Sequence, residues 1–201
     1  MKKLISIVIP AHNEQDNILQ ILERIEQVFA STNYNYEILI VDDGGTDNTL
    51  SIVKLVAETK TNIYFVEFSR NFGHQAALKA GLDHANGDCV ISLDADLQHP
   101  PELICEMLAK WEEGYEIVYT KRLEDKSLSY KKRKASQLFY KLLNSLSDIE
   151  LESGTADFRL LDRKVVEAFR HFKEIDPFIR GLIKWMGFKQ VGLEYIPSAR
   201  Y

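Results

Sequence analysis

Two pairs of aspartates stand where chemistry could occur, because each pair closes a run of apolar residues. Asp42 and Asp43 end one such run, and Asp94 and Asp96 end another. Four carboxylates brought together repel one another unless a cation or hydrogen-bond donors compensate. Carboxylate oxygens are the ligands of hard cations such as Mg²⁺ and Mn²⁺, which usually complete their coordination with substrate phosphates. The two pairs therefore predict a metal–diphosphate site.

Aspartates after strands also have a purely structural use, because they cap helices and close turns. For either pair alone, this structural interpretation is about as good as the functional one. The arrangement of the elements decides between them, because it determines whether the two pairs meet.

The elements alternate regularly along the first 120 residues. The predicted strands are the β-branched apolar runs 4–10 and 36–41, followed by 62–68, 89–93 and 115–120. The predicted helices between them are 13–29, 46–58, 73–85 and 102–113. Strict alternation with short connections predicts an α/β fold with a parallel sheet. Ligands of such sheets bind at the carboxyl ends of the strands, so both aspartate pairs are expected at one edge.

Beyond residue 121 the pattern changes, and the second half is expected to extend the same sheet. The predicted strands there are 158–161 and 191–196, and the predicted helices are 130–147, 164–172 and 178–186.

Composition bounds the class of protein. The chain has 201 residues, of which 45% are hydrophobic, so it can build an ordinary globular core. A net charge of −5 argues against a nucleic-acid binder. Cys89 and Cys105 form no CxxC pair, which excludes a disulfide framework or a zinc site of that type. The N-terminal apolar run ends at His12, too short for a signal peptide, and the longest charge-free stretch, 4–13, is too short for a membrane span, so the chain is expected to be soluble.

Several motifs together resemble glycosyltransferase family 2. They are VIPAHNE at 8–14, VDDGGTDNT at 41–49, RNFGHQAALKAG at 70–81 and SLDADLQHPPE at 92–102. With GTADFRLLDR at 154–163, they are similar to the branch that makes polyprenyl-phosphate sugars, which includes dolichol-phosphate mannose synthases and bacterial undecaprenyl-phosphate glycosyltransferases. The resemblance implies a single GT-A domain, a Rossmann-like, mostly parallel sheet flanked by helices. Residues 1–121 would form its nucleotide-sugar-binding half and residues 122–201 its acceptor half.

The same resemblance implies roles for the donor-side residues. Those around the nucleoside would be Pro10, Ala11, His12 and Glu14, with Asp42 and Asp43 reading the base and ribose. Asp94 would lie against the donor's ribose or sugar as a catalytic residue, and Asp96, helped by Gln98, would hold Mg²⁺ or Mn²⁺ on the diphosphate. We interpret His74 and His99 as loop residues, although His99 lies close enough to the turn at 94–96 to matter there. Gly45 departs from the family pattern, which has serine there, and so removes a hydroxyl donor.

On the acceptor side, the resemblance assigns Arg122, assisted by Arg133, to the acceptor phosphate, and makes both Arg122 and Asp157 catalytic residues. Two roles for Asp157 stay open. An alcohol acceptor needs a general base, whereas a phosphate acceptor is already ionised and leaves Asp157 to orient a sugar hydroxyl or an arginine. The basic residues 131–134 favour contact with an anionic membrane surface over a merely solvated helix start.

The function implied is inverting, metal-dependent transfer of a sugar from a nucleotide-diphosphate sugar, preferably a UDP-sugar, to a polyprenyl phosphate for cell-envelope glycans. Relatives continue into membrane helices, so this chain is expected to be the soluble part of a protein anchored at the cytoplasmic membrane face. The sequence also leaves open whether the protein forms a homo-oligomer. The alternatives are a glycosyltransferase with a sugar or protein hydroxyl acceptor, and a catalytically silent nucleotide-sugar-binding domain.

Overall fold

The computed structural model describes residues 2–123, 155–172, 174 and 178–196. The strands in these ranges are β1 (Leu4–Ala11), β2 (Asn35–Asp42), β3 (Ile63–Glu67), β4 (Cys89–Ser92), β5 (Ile117–Arg122), β6 (Thr155–Asp162) and β7 (Gln190–Tyr195). The helices in the same ranges are α1 (Ile18–Ala30), α2 (Thr49–Thr59), α3 (His74–His84), α4 (Leu103–Glu112), α5 (Arg163–Arg170) and α6 (Ile179–Trp185).

Two helices begin later than predicted, and both delays have the same cause. α1 starts at Ile18 rather than at 13, and α2 starts at Thr49 rather than at 46. The residues that precede them form turns joined by the Asn13 side chain, whose Oδ1 accepts a hydrogen bond of 2.7 Å from the Thr46 amide. These turns lie at the edge of the sheet where the aspartate pairs are found.

One sheet of seven strands runs through the described part of the chain, in the order β3-β2-β1-β4-β6-β5-β7. All neighbouring pairs are parallel except those of β6, which runs antiparallel to both β4 and β5. The expected mostly parallel α/β sheet is therefore confirmed. β6 lies between two strands of the first half, so the later part of the chain is interleaved with the earlier part and not simply appended to it.

Helices cover both faces of the sheet, which explains why the central strands are apolar throughout. Successive side chains of a strand point to opposite faces. In β1, Ile7 packs on the face that carries α1 and α4, and Val8 packs on the face that carries α3 and α5. Burial on both faces excludes water from the strands and leaves their carboxyl ends as the exposed functional edge.

α3 approaches β1 unusually closely. A Cβ placed on Gly81 would lie 2.1 Å from Cγ1 of Val8, so only glycine permits this packing distance. The close contact fixes α3 against the sheet and directs its first residue, His74, toward the carboxyl ends of the strands.

The predicted helix 130–147 lies outside the described residues, and so do Arg133 and the basic residues 131–134. Within the described ranges, no helix is both long enough and apolar enough to cross a membrane.

Candidate active site

A cavity of about 440 Å³ opens where β1, β2 and β4 end. Most of the residues assigned to chemistry line it: Pro10, Ala11, His12, Glu14, Asp43, Asp94, Asp96 and Asp157. Asn71, Gly73, His74 and Ala77 are also part of its wall. The structure thus brings residues from five separate stretches of the sequence to one place. Asp42, Gln98 and Arg122 are not among the lining residues.

Asp42 and Asp43 differ in what they bind. The carboxylate of Asp43 accepts hydrogen bonds from the amides of Phe72 and Gly73, at 2.7 and 2.9 Å, and so holds the loop after β3 against the cavity. Asp42 is also buried, and one of its oxygens accepts a hydrogen bond from the Gly45 amide at 3.2 Å. Both aspartates therefore stabilise turns, as the structural interpretation predicts, and Asp43 also faces the ligand space.

The second oxygen of Asp42 has no hydrogen-bond partner among the described residues although it is buried. Burial raises the pKa of this carboxyl group above its ordinary value. A Cβ placed on Gly45 would lie 3.0 Å from that oxygen, so the serine of the family pattern would bring its hydroxyl within reach of it. The glycine thus leaves unsatisfied an acceptor that a serine could pair.

His12 uses both ring nitrogens in the turn. Nδ1 lies 2.9 Å from the Asp43 carbonyl oxygen, and because a carbonyl only accepts, Nδ1 carries the proton. Nε2 lies 3.4 Å from the Asn13 side-chain amide. Asn13 itself has a φ of 57°, a left-handed conformation that asparagine tolerates better than most residues. These contacts fit a residue that shapes the wall of the cavity better than one that binds a metal.

His74 lies between two carboxylates at the cavity. Its Nε2 is 3.5 Å from Asp94 and 3.6 Å from Asp157. The Asp157 carboxylate, aided by the charge of Asp94, raises the pKa of His74 above its ordinary value despite partial burial. The interpretation of His74 as a loop residue is therefore wrong, since it begins α3 and joins the two predicted catalytic aspartates.

Asp157 is held by arginines. Arg180, near the start of α6, donates two parallel hydrogen bonds of 2.8 Å to the two carboxylate oxygens. Arg159 lies 3.7 Å away and is itself buried. Burial alone would raise the pKa of Asp157, but the contacts with His74, Arg180 and Arg159 outweigh it and hold the pKa well below its usual range.

Asp96 is only half-buried and its carboxylate borders the cavity. One of its oxygens accepts a hydrogen bond of 3.1 Å from the backbone N–H of Gln98. In the part of the chain that is described, no three His, Cys, Asp or Glu side chains converge as a metal cage.

Arg122 is outside the cavity wall, at the end of β5. Its Nε donates a hydrogen bond of 3.0 Å to the hydroxyl of Tyr195, the last residue of β7.

His99, interpreted as a loop residue, is 1% exposed and contacts both Asp94 and Tyr195.

Sequence reasoning misses the functional placement of His74, Arg180 and Tyr195. His74 stands in the motif at 70–81, so a signal is present, but it is assigned to loop structure. Arg180 and Tyr195 belong to none of the motifs, and only the packing of α6 and the register of β7 bring them to this edge.

Comparison with known proteins decides the family. The model of the family "Glycosyl transferase family 2" matches residues 6–170. The chain belongs to glycosyltransferase family 2. It is 44% identical over 195 residues to the uncharacterized glycosyltransferase YkcC of Bacillus subtilis, covering 97% of this chain and 60% of the relative. It is 37% identical over 196 residues to the bactoprenol glucosyl transferase of Shigella phage SfV, covering 98% and 64%. The chain thus spans about three-fifths of the length of these relatives.

A solved structure of similar fold is the mannosyltransferase PcManGT from Pyrobaculum calidifontis, in complex with GDP-Man and Mn²⁺. The TM-score is 0.65 at 20% identity, covering all of this chain and 57% of the other. Both the resemblance to family 2 and the GT-A fold are confirmed.

Proposed function

We propose that this glycosyltransferase moves a sugar from a nucleotide-diphosphate sugar, preferably a UDP-sugar, to a polyprenyl phosphate. The observation that carries the proposal is the cavity, where Asp43, Asp94 and Asp96, after the carboxyl ends of parallel strands, meet Asp157 from the amino end of the antiparallel strand β6. The name of the bactoprenol glucosyl transferase supports a lipid acceptor of this class.

The donor nucleoside would bind against the loop that follows β1. Pro10, Ala11, His12 and Glu14 form one wall, and Asp43 with its bound loop at 71–73 forms the other. Both carboxylate oxygens of Asp43 accept hydrogen bonds from backbone amides, which hold the loop at 71–73 in place. The same carboxylate would contact the ribose of the donor. Asp42 would act on the base indirectly, through the turn that it closes at Gly45.

A divalent cation, Mg²⁺ or Mn²⁺, fits the donor set at Asp96. A hard cation is commonly held by one or two carboxylates together with substrate phosphates, which agrees with a half-buried carboxylate beside an open cavity. Asp96 would hold it, with Gln98 supporting the carboxylate through its backbone N–H. When bound, the cation offsets the charge that develops on the leaving diphosphate.

The state of Asp157 favours a phosphate acceptor over an alcohol. A general base works best when its pKa lies near the operating pH. Asp157 is 7% exposed and held by Arg180 and His74, and its pKa lies well below the usual range, so it would be a very weak base. An acceptor phosphate needs no deprotonation. We therefore assign Asp157 to orientation of the sugar and of the cations around it, and not to proton removal.

The acceptor oxygen would attack the anomeric carbon from the face opposite the diphosphate, inverting its configuration. Asp94 would orient the donor sugar, and Arg122, with Arg133 from outside the described residues, would bind the acceptor phosphate. Such an acceptor lies in a membrane. The same proposal therefore includes contact of the protein with an anionic membrane surface at the cytoplasmic face. It also includes a part of the protein that anchors the enzyme to that membrane.

Nucleotide binding tests the donor site directly. Thermal unfolding is measured with UDP, GDP, CDP and dTDP, each with and without Mg²⁺ or Mn²⁺. A ligand at 100 times its Kd adds about 2.7 kcal/mol to the free energy of unfolding. We expect metal-dependent stabilisation by UDP, which Asp96→Ala abolishes without unfolding the chain. Asp83→Ala, which removes an exposed partner of Lys79 on α3, is the matched control and should keep the stabilisation.

Metal-dependent stabilisation of Asp96→Ala at the wild-type level would overturn the metal assignment. Absence of stabilisation by every nucleotide would overturn the donor site itself, and stabilisation by nucleotide without any sugar transfer would favour the catalytically silent nucleotide-sugar-binding domain.

A further inference from the structure

Four side chains form one continuous series of hydrogen bonds across the edge of the sheet. Asp94 Oδ2 lies 3.0 Å from His99 Nε2, His99 Nδ1 lies 2.7 Å from the Tyr195 hydroxyl, and that hydroxyl lies 3.0 Å from Arg122 Nε. The series joins the predicted donor-side aspartate to the predicted acceptor-side arginine. Neither His99 nor Tyr195 has a role in the function proposed above.

The directions of the bonds follow from the two charged ends. A guanidinium nitrogen can only donate, so the Tyr195 oxygen accepts from Arg122 Nε. At the other end, an ionised Asp94 carboxylate can only accept, so His99 Nε2 donates to it. A neutral imidazole with its proton on Nε2 has a lone pair on Nδ1, which accepts from the Tyr195 hydroxyl. All three bonds point the same way, from the cation to the carboxylate.

The middle of the series is closed to water. His99 is 1% exposed and Tyr195 is 4% exposed, and the ring of Phe158 packs against His99 with 5.4 Å between centroids. Burial raises the pKa of Tyr195, so its hydroxyl keeps the proton that it donates. Hydrogen bonds shielded from water polarise one another and hold their geometry better than exposed ones.

The strands set the ends of the series. Asp94 follows β4, whereas Arg122 and Tyr195 are register partners on the neighbouring strands β5 and β7. One strand, β6, lies between β4 and β5 and so separates Asp94 from Arg122. Backbone pairing alone leaves a long arginine side chain free to rotate, and the Tyr195 hydroxyl removes that freedom at Nε.

We propose that His99 and Tyr195 are positioning residues that hold the guanidinium of Arg122 at a fixed place relative to Asp94. The inference rests on the proposed function, because it gives the reason for the link: donor sugar and acceptor phosphate must be aligned together. Alignment of two reactants is among the larger contributions to enzymatic rates.

The test is steady-state kinetics of the full-length protein in lipid micelles, with UDP-glucose, a divalent cation and polyprenyl phosphate. Tyr195→Phe removes only the hydroxyl. A hydrogen bond to a charged group is worth about a tenfold change in affinity or more, so KM for polyprenyl phosphate should rise roughly tenfold. Kd for UDP, measured by calorimetry, should stay within about twofold, because the nucleoside contacts lie elsewhere.

The matched control is Tyr34→Phe. The Tyr34 hydroxyl also bonds one side chain, that of Glu112, but it lies beside the first residue of β2, at the opposite edge of the sheet. The Tyr34→Phe variant should unfold somewhat more easily than the wild type, with an unchanged KM for polyprenyl phosphate and an unchanged Kd for UDP. If His99 and Tyr195 act by positioning, Tyr195→Phe raises the KM for polyprenyl phosphate and leaves the Kd for UDP unchanged, whereas Tyr34→Phe changes neither. A loss of fold stability alone would not produce this difference between the two variants.

A second comparison stays informative if Tyr195→Phe folds poorly. His99→Gln retains an amide donor for Asp94 and lacks an acceptor at the position of Nδ1, so it should also raise the KM for polyprenyl phosphate. In an Arg122→Lys background, which has no Nε, Tyr195→Phe should change the KM by less than about twofold, because linked residues are not additive.

The outcomes separate the inference from the function on which it rests. Absence of sugar transfer by the wild-type protein overturns both. Two results overturn the positioning role alone while the wild type still transfers sugar. One is an unchanged acceptor KM in Tyr195→Phe and His99→Gln, and the other is an equal effect of Tyr195→Phe with and without the Arg122→Lys substitution.

Discussion

Asp157 is stabilised in its ionised form by the cations that surround it. Arg180 pairs with both of its oxygens and His74 lies 3.6 Å away. Its native pKa is lower than the value of about 3.9 for an unfolded aspartate. A depressed pKa contributes stability that is fully present above the unfolded pKa and is lost as the pH falls through the native pKa.

Asp157→Asn should therefore lower the free energy of unfolding at pH 7, by about 3 kcal/mol, because it leaves the buried Arg159 without its carboxylate. The difference between variant and wild type should shrink as the pH is lowered from about 4 toward 2. Urea unfolding at a series of pH values measures it.

Asp83→Asn provides the comparison, because Asp83 pairs with Lys79 at an exposed site and its substitution should cost well under about 1 kcal/mol. A difference for Asp157→Asn that is small at pH 7, or that stays constant as the pH falls, would show that the surrounding cations do not stabilise this carboxylate.

At the scale of single residues, the sequence is informative where a motif names the residue. Asp43, Asp94, Asp96 and Asp157 are predicted from motifs, and they line one cavity. Arg180 is not predicted, because a lone arginine near the start of a helix carries no local signal of its partner. It lies 23 positions after Asp157, and only tertiary packing brings the two together.

At the scale of elements, the turn after β2 connects backbone geometry to the cavity. Gly44 has a φ of +62°, and a Cβ there would lie 2.2 Å from the carbonyl carbon of Arg70. Arg70 begins the loop that carries Asn71 and Gly73 to the cavity wall. Because a backbone atom cannot move aside as a flexible side chain can, the contact requires glycine.

Gly44→Ala should therefore destabilise the chain by at least about 3 kcal/mol and weaken nucleotide binding. Gly114→Ala measures the cost of a positive φ alone. Gly114 also has a positive φ, +87°, but nothing among the described residues lies near its Cβ position. This control should lose only about 1 kcal/mol and keep nucleotide binding. Urea unfolding and calorimetry with UDP give the two readouts, and equal losses in the two variants would rule out the collision with Arg70.

The elements themselves are largely predictable. Strands 4–10 and 36–41 match β1 and β2 within one residue at each end, because apolar β-branched runs of that length suit strands buried on both faces. The place of β6 is not predictable. Only half of its eight residues are apolar (Ala156, Phe158, Leu160 and Leu161), and nothing in their order states that the strand enters antiparallel between β4 and β5.

At the scale of the whole molecule, one sheet carries both halves of the proposed reaction. The donor side lies at β1, β2 and β4, and Asp157 on β6 and Arg122 on β5 extend the same edge toward the acceptor. No interdomain closure is needed to bring these groups together, because they share one rigid layer of strands. We therefore expect the charged residues at this edge to select a phosphate acceptor, because Asp157 is too weak a base to activate an alcohol.

A comparison of two acceptors that differ only in the phosphate tests this expectation. The full-length protein in lipid micelles receives UDP-glucose, a divalent cation, and either polyprenyl phosphate or the corresponding polyprenol. Mass spectrometry identifies the product, and NMR gives its anomeric configuration. We expect a glycosylated polyprenyl phosphate with inverted configuration and no product from the polyprenol. Glycosylation of the polyprenol at a comparable rate, or retention of configuration, would show that the proposed acceptor chemistry is wrong.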